Sequence, residues 1–377
     1  MTSGPQQSAG GSSRYKALDG LRGLAAVVVV VHHCLLVSPQ LADAVDGTSG
    51  PLHLWVAWLT YSPLHLIWAG KEAVYVFFIL SGFVLTLPFL RAARPRWTAY
   101  YTKRIVRIYL PAWAALVFAL ILAWLFPRVA DRDFSSWINL HGEVLDLLRD
   151  FTLLGGAGPL NSPLWSLQWE MLFSLLLPVY LLIALRFGRL SLVSAVGMIL
   201  LIGAGGALNV DSLVYLPMFG IGVLMAAWRK ELQGLAEKLH RWTWCMLISS
   251  SIVLLCAKWV FPQLPGSTAM ATAGGALLIF AFIAWRPALR LGTRQWAQWL
   301  GARSFSLYLI HEPIIVSVAF ALDTSNAVYV FLLAVPLSLI TAEVFFRYIE
   351  SPSLTLAGTA GRALSKRGQP AKDTAQP

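Results

Sequence analysis

An arginine and a histidine, Arg22 and His33, stand near the two ends of the apolar stretch LDGLRGLAAVVVVVHH, which covers residues 18–33. In an α-helix, eleven residues make about three turns with a residual of roughly 20°, so both side chains would lie on one face about 16 Å apart. An ionisable group in hydrocarbon costs at least ~2.5 kcal/mol, so the pair indicates a polar interior, a water path or a ligand. The alternative is an arginine that extends to the membrane interface together with a hydrogen-bonded interior histidine.

Two further polar residues interrupt apolar stretches. Glu170, in LWSLQWEMLF, lies about two turns inside a predicted helix, where it could accept a proton, orient a histidine or pair with a buried arginine. Ser81, in FFILSGFVLT, could face a substrate channel, although small residues such as Ser81 and Gly82 also allow close helix packing.

Charged or ionisable residues also lie at the ends of other predicted helices or inside them. Arg104 and Arg107, in YYTKRIVRIYLPAW, share one helix face, which suits phosphate oxygens or, alternatively, a cytoplasmic anchor. SFSLYLIHEP places a His-Glu pair, residues 311 and 312, inside a later helix. In RYIESP we expect Glu350 to form a local ion pair with Arg347.

The composition is that of a membrane protein with several spans. Of 377 residues, 57% are hydrophobic and 12% are charged, which is too apolar for an ordinary soluble domain. The net charge of +11 comes from basic residues between apolar segments, so nucleic acid is not an expected partner. The three cysteines have no paired spacing, which predicts neither disulfides nor a metal site. The sequence has no Walker loop, dinucleotide fingerprint or Gly-x-Ser-x-Gly elbow.

These residues must be positioned by membrane helices. Ten apolar segments approach the length that spans a bilayer core of about 30 Å, and they predict an all-α polytopic bundle. The segments are 18–37, 74–90, 105–126, 164–185, 190–208, 213–228, 242–261, 268–285, 304–322 and 327–348. Lys and Arg accumulate in alternate connections, which predicts that both termini are cytoplasmic.

One transmembrane domain, residues 14–352, is therefore expected between two disordered tails. The N-terminal tail, residues 1–13, lacks the basic region, apolar core and cleavage site of a signal peptide. The basic C-terminal tail covers residues 353–377.

Six motifs in this order resemble the acyltransferase-3 family of integral-membrane acyltransferases. They are LDGLRGLAA with its Arg-x10-His spacing, FFILSGFVLT, KRIVRIYLPAW, LWSLQWE, SFSLYLIHEP and RYIESP, and the resemblance extends over residues 18–352. The chain departs from many members at Ala73, Tyr75 and Met171, where those members have Gly, Asp and a second acid.

The resemblance implies that an acyl group, most often acetyl, moves from cytoplasmic acyl-CoA to a hydroxyl of an acceptor at the membrane or its outer side. His33 would be the general base or an acyl carrier. Arg22 would neutralise donor charge or polarise the acyl carbonyl, and Glu170 would fix the imidazole tautomer.

The same resemblance implies a donor site at the inner face. Arg104 and Arg107 would hold the donor phosphates, and Ser81 would lie beside the donor. The donor, acetyl-CoA or another acyl-CoA, is a substrate, so we expect no permanently bound cofactor and no metal.

The acceptor is expected to be a carbohydrate, such as an exopolysaccharide or lipopolysaccharide, because the outer loops 38–73 and 127–163 are polar and rich in aromatic residues. A macrolide or lipid acceptor is equally compatible with these residues. A secondary transporter or flippase is the alternative from another class, since intramembrane Arg, His and Glu are expected there too. The expected location is the inner (plasma) membrane, with the lipid bilayer, acyl-CoA and the acceptor as partners.

Overall fold

The computed structural model describes residues 10–47, 52–90, 95–128, 144–186, 191–262 and 264–367, and all regular structure within these ranges is helical. The α-helices are α1 (Gly10–Leu36), α2 (Pro39–Asp46), α3 (Leu54–Thr60), α4 (Gly70–Thr86), α5 (Trp97–Leu125), α6 (Val144–Thr152), α7 (Trp165–Arg186), α8 (Ser191–Leu208), α9 (Asp211–Ala227), α10 (Arg229–Lys238), α11 (Arg241–Leu255), α12 (Ala257–Val260), α13 (Ser267–Ala284), α14 (Arg286–Gly292), α15 (Gln295–Leu322), α16 (Ala327–Phe345) and α17 (Ser351–Arg367). Two 3₁₀ helices, Pro63–Trp68 and Ser162–Leu164, and a π-helical turn, Phe346–Glu350, complete the description.

Several of these helices can cross a membrane. Among the described residues, six helices (α1, α5, α7, α13, α15 and α16) are long and apolar enough to do so, and a seventh span results if the bent pair α9 and α10 is counted as one. Nine of the ten segments expected from the sequence each lie over one helix, and segment 242–261 covers two, α11 and α12, which are separated at Cys256. The predicted all-α class is therefore confirmed for the described residues, and the chain is a multi-pass membrane protein.

Helices α1 and α15 pack so closely that their backbones almost touch at two glycines. A Cβ atom added to Gly23 would lie 2.5 Å from the amide nitrogen of Gly301, and one added to Gly301 would lie 2.2 Å from the carbonyl oxygen of Asp19. Only glycine leaves room for such an approach. This contact brings the Arg22 and His33 face of α1 close to the polar residues of α15.

Helices α4 and α9 make a second close contact. A Cβ atom on Gly82 would lie 2.0 Å from the carbonyl oxygen of Phe219, and one on Gly222 would lie 2.0 Å from that of Ile79. The ring of Phe219 stacks on Phe78 of α4 at 4.6 Å and on Phe173 of α7 at 4.5 Å between centroids. The interpretation of Gly82 as a helix-packing residue is confirmed, and α4, α7 and α9 pack against one another.

The two expected tails are partly helical. Helix α17 continues to Arg367 and packs on α5, so disorder from residue 353 was the wrong expectation as far as residue 367. Ser353, Ala357 and Gly361 recur every fourth residue and are buried, which gives this polar helix a narrow face of small residues. Helix α1 begins at Gly10, inside the expected N-terminal tail, while residues 1–9 and 368–377 lie outside the described ranges.

Candidate active site

A cavity of about 400 Å³ lies between α1, α4, α5, α7 and α15. Five of the six residues predicted for the site line it, namely Arg22, Ser81, Arg104, Arg107 and Glu170. Much of the remaining wall is apolar, with Val74, Phe77, Phe78, Val84, Leu85, Ile108, Leu167 and Phe305. A mainly apolar wall with a few charged groups is typical of a small-molecule site.

Glu170 is held by two neighbours. Arg104 donates from Nη2 to its Oε1, and the Ser81 hydroxyl donates to the same oxygen at 3.4 Å. Arg104 also donates from Nε to the Ser174 hydroxyl at 2.9 Å. Glu170 is thus the partner of a buried arginine, which is the alternative that the sequence left open.

Arg107 has a different environment from Arg104, although the same role was predicted for both from the sequence. Arg107 is exposed within the cavity wall, and in the described part of the chain no carboxylate lies within ion-pair distance of it. Arg22 forms an ion pair with Asp19, one turn earlier on α1, at 3.3 Å. Arg107 is therefore the guanidinium best placed to bind an anionic ligand.

Glu350 also lines the cavity, and sequence reasoning missed it there. Its carboxylate accepts hydrogen bonds from the hydroxyl of Ser306 and, at 3.1 Å, from the Ser306 backbone nitrogen. The expected pair of Glu350 with Arg347 was wrong, because Arg347 pairs with Glu343 instead. The π-helical turn over Phe346–Glu350 explains the difference, since the extra residue in that turn changes which side chains face inward.

His33, the sixth predicted residue, lies on α1 about three turns beyond Arg22 and is not among the residues that line the cavity. Its Nδ1 is 3.0 Å from the Val29 carbonyl oxygen and 3.2 Å from Nε2 of His311 on α15. Its Nε2 is 3.9 Å from Oε2 of Glu312. The α1 and α15 contact thus brings His33 to a histidine that is 278 residues away in sequence and to the carboxylate of the residue that follows it.

The Glu312 carboxylate is buried, and hydrogen bonds from the 3₁₀ helix Ser162–Leu164, which precedes α7, hold it in place. The Ser162 hydroxyl donates to its Oε2 at 2.6 Å, and the Ser162 backbone nitrogen donates to its Oε1 at 3.2 Å. Asn161 anchors the same turn by donating to the Leu309 carbonyl oxygen at 2.9 Å. Glu312, rather than the expected Glu170, therefore supplies a carboxylate beside His33. The His-Glu dipeptide in SFSLYLIHEP was the sequence signal for it.

Tyr308 connects the cavity wall to the histidine pair. Its hydroxyl lies 2.8 Å from the Ser166 hydroxyl and donates to the Pro163 carbonyl oxygen at 3.1 Å. Tyr308 and Ser166 both line the cavity, while the Tyr308 ring is 5.9 Å from that of His311. Tyr308 is therefore a cavity-lining residue that also contacts the neighbour of His33.

His32, the other histidine of the opening motif, has a different environment. Its Nδ1 lies 2.8 Å from the Trp68 carbonyl oxygen. Its ring sits against Gly70, where an added Cβ atom would lie 2.5 Å from the imidazole. His32 therefore helps to attach α1 to the 3₁₀ helix Pro63–Trp68.

The amino-acid sequence of this chain is similar to those of several known acyltransferases. OatA of Listeria monocytogenes, a peptidoglycan O-acetyltransferase, is 24% identical over 383 residues, which are 89% of this chain and 55% of OatA. YrhL of Bacillus subtilis, whose name proposes the same activity, is 25% identical over 90% of this chain and 54% of its own length. The acyltransferase MdmB of Streptomyces mycarofaciens is 25% identical over 96% of this chain and 97% of its own length.

The chain thus spans about half the length of the two peptidoglycan-related proteins and nearly all of the third. No solved structure matches it. A family model described as an acyltransferase domain, Acyl_transf_3, matches residues 15–347 and so includes every residue of the cavity and histidine clusters named above except Glu350. The chain belongs to the acyltransferase-3 family.

Proposed function

We propose that the chain is a membrane O-acyltransferase that moves an acyl group, most simply acetyl, from cytoplasmic acyl-CoA to a hydroxyl of a carbohydrate acceptor. In this proposal it has ten transmembrane helices, both termini in the cytoplasm, and a location in the plasma membrane. The family supports the reaction class. The peptidoglycan O-acetyltransferase among its relatives supports a glycan acceptor.

The observation that carries the proposal is Arg107, a guanidinium with no ion-pair partner among the described residues, in a largely apolar cavity. With the proposed topology this cavity faces the cytoplasm. A guanidinium in such a wall suits a phosphate or diphosphate through two parallel hydrogen bonds. The carboxylates of Asp19 and Glu170 are paired with Arg22 and Arg104. That of Glu350, the third in this wall, accepts hydrogen bonds from Ser306, so none of the three forms an ion pair with Arg107.

His33 would carry out the proton transfer. Its Nε2 takes the proton from the acceptor hydroxyl while the hydroxyl oxygen attacks the acyl carbonyl. The new C–O bond forms, the C–S bond breaks, and the proton passes from His33 to the departing thiolate to give CoA thiol. Glu312, 3.9 Å from Nε2, would offset the positive charge that His33 carries between these two transfers.

The distance between the two clusters sets a requirement on the donor. Arg22 and His33 are about 16 Å apart along α1, and Tyr308, which lines the cavity, has its ring 5.9 Å from that of His311. The phosphates would remain near Arg107, while the flexible arm of CoA extends past Tyr308 to bring the thioester to His33.

The proposal is tested with membranes that contain the protein, acetyl-CoA labelled in its acetyl group, and candidate glycans. We expect label in the glycan only when donor, protein and glycan are all present. Movement of glycan across the membrane without label would instead identify a transporter. Absence of both from correctly inserted protein, with peptidoglycan, lipopolysaccharide and exopolysaccharide fragments each tried, would overturn the proposal.

A further inference from the structure

We propose that His311 is a positioning residue that holds neutral His33 in the tautomer with its proton on Nδ1, and so leaves Nε2 as the base. This inference rests on the proposed role of His33 in acyl transfer. It concerns a residue whose position next to His33 is visible only in the folded chain.

The tautomer of His311 follows from its own contacts. The ring is fully buried, and its Nδ1 lies 3.1 Å from the Leu307 carbonyl oxygen and 2.8 Å from the Tyr308 carbonyl oxygen. Carbonyl oxygens only accept hydrogen bonds, so Nδ1 must carry the proton. In a neutral imidazole the other nitrogen then has a lone pair, and Nε2 of His311 is an acceptor.

That acceptor determines the tautomer of His33. Nδ1 of His33 faces Nε2 of His311 at 3.2 Å and the Val29 carbonyl oxygen at 3.0 Å. Two acceptors converge on this nitrogen, so it must donate a shared hydrogen bond. The opposite assignment would direct a lone pair of His33 at the Val29 oxygen and a lone pair of His311 at two carbonyl oxygens. Among arrangements with two neutral rings, only this one satisfies the four contacts, and it leaves Nε2 of His33 unprotonated at 3.9 Å from Oε2 of Glu312.

His311 also differs from Val29 in what it does during the reaction. The Val29 carbonyl belongs to the same helix as His33, whereas His311 reaches it from α15. When Nε2 of His33 takes up a proton, the hydrogen bond from Nδ1 to His311 becomes charge-assisted and strengthens. Since this charge develops in the transition state, removal of His311 should lower kcat rather than weaken donor binding.

The first experiment compares His311→Phe with His311→Gln in the acetyl-transfer assay. Phe keeps the ring volume without an acceptor, while the Gln amide oxygen reaches the region that Nε2 occupies. We expect kcat to fall about 10- to 100-fold in His311→Phe, as for a lost hydrogen bond to a charged group. We also expect an unchanged KM for acetyl-CoA and recovery of most of kcat in His311→Gln. Unchanged kcat in a folded His311→Phe variant would overturn the inference.

A second measurement needs no His311 variant. In protein with ¹⁵N-labelled histidine, the His33 signals are identified by their loss in His33→Gln, and the tautomer is determined from the two ring shifts. We expect an unprotonated Nε2 in the neutral wild-type ring, and a protonated Nε2 would overturn the inference. For the kinetic experiment, His53→Phe, at an exposed position, is the matched control for His311→Phe. Absence of acyl transfer by the wild type would count against the proposed function, whereas the tautomer assignment would still be decided by the shifts.

Discussion

Arg104 and Arg107 lie three residues apart on α5, and their substitution should have opposite consequences. Replacement of Arg107 by Met keeps an unbranched side chain close in size to the aliphatic part of arginine and removes the guanidinium and its charge. We expect the donor to bind more weakly while the fold is retained, because no described carboxylate forms an ion pair with Arg107 and the nearby Glu350 carboxylate keeps its hydrogen bonds from Ser306. The loss of hydrogen bonds to a charged phosphate is worth about 1.5–3 kcal/mol, or roughly a 10- to 150-fold rise in the Kd of the donor.

Replacement of Arg104 by Met should instead damage the protein. Arg104 is buried, and its loss leaves the Glu170 carboxylate, whose side chain is 21% exposed, without its guanidinium partner. Breaking a buried ion pair from one side costs about 3–5 kcal/mol. The double variant Arg104→Met, Glu170→Gln removes the unpaired charge and should recover part of the lost stability.

The assay measures binding of a non-hydrolysable acetyl-CoA analogue and thermal unfolding for each variant in the same detergent. The reasoning predicts a normal melting temperature with weak binding for Arg107→Met, and a lowered melting temperature for Arg104→Met. Wild-type donor affinity in a folded Arg107→Met variant would refute the assignment of the donor phosphates to this cavity.

Two further predictions concern packing and pH. Gly82→Ala should lower thermal stability by about 1–3 kcal/mol, because its Cβ would meet the Phe219 carbonyl oxygen, whereas Gly197→Ala, which has open space around it, should not. Asp150 lies on α6, the short helix between α5 and α7. Burial raises the pKa of its carboxyl group to about 6. The folded state therefore binds this proton more tightly than the unfolded state, so stability of this segment falls as pH rises from about 4 through about 6. Limited proteolysis of the wild type should be faster at pH 7.5 than at pH 5, whereas Asp150→Asn should be cleaved at the same rate at both. Equal wild-type rates at the two pH values would refute the predicted pH dependence.

Much of the fold could be predicted from apolar length alone. Nine of the ten expected segments each lie over one helix and the tenth over two, because a long apolar run is visible in the sequence itself. Length and composition allow six or seven of the described helices to span a membrane. Helix α17 was missed since its buried face consists of Ser353, Ala357 and Gly361, small residues that carry no hydrophobic periodicity. The inward position of Glu350 was missed because it depends on a π-helical turn.

The site could be predicted in part. Arg22, Ser81 and Glu170 could be singled out because each is a polar residue in an apolar stretch, and all three line one cavity. Their meeting at that cavity was not predicted. The sequence could not show which acid accompanies which base, because that depends on which helices pack together, α5 with α7 for Glu170 and α1 with α15 for Glu312. Only the structure pairs Glu170 with Arg104 and brings Glu312 to His33.

The central claim is that His33 performs acyl transfer, and the most direct test is the transfer rate of His33→Ala. Purified protein in lipid vesicles receives labelled acetyl-CoA and a glycan that the wild type acetylates, with His32→Asn as the matched control from the neighbouring position. We expect His33→Ala to lose transfer by about 100-fold or more, as for a removed general base, with normal membrane insertion and donor binding. His32→Asn should retain transfer. A His33→Ala variant that transfers acetyl at the wild-type rate would contradict the account.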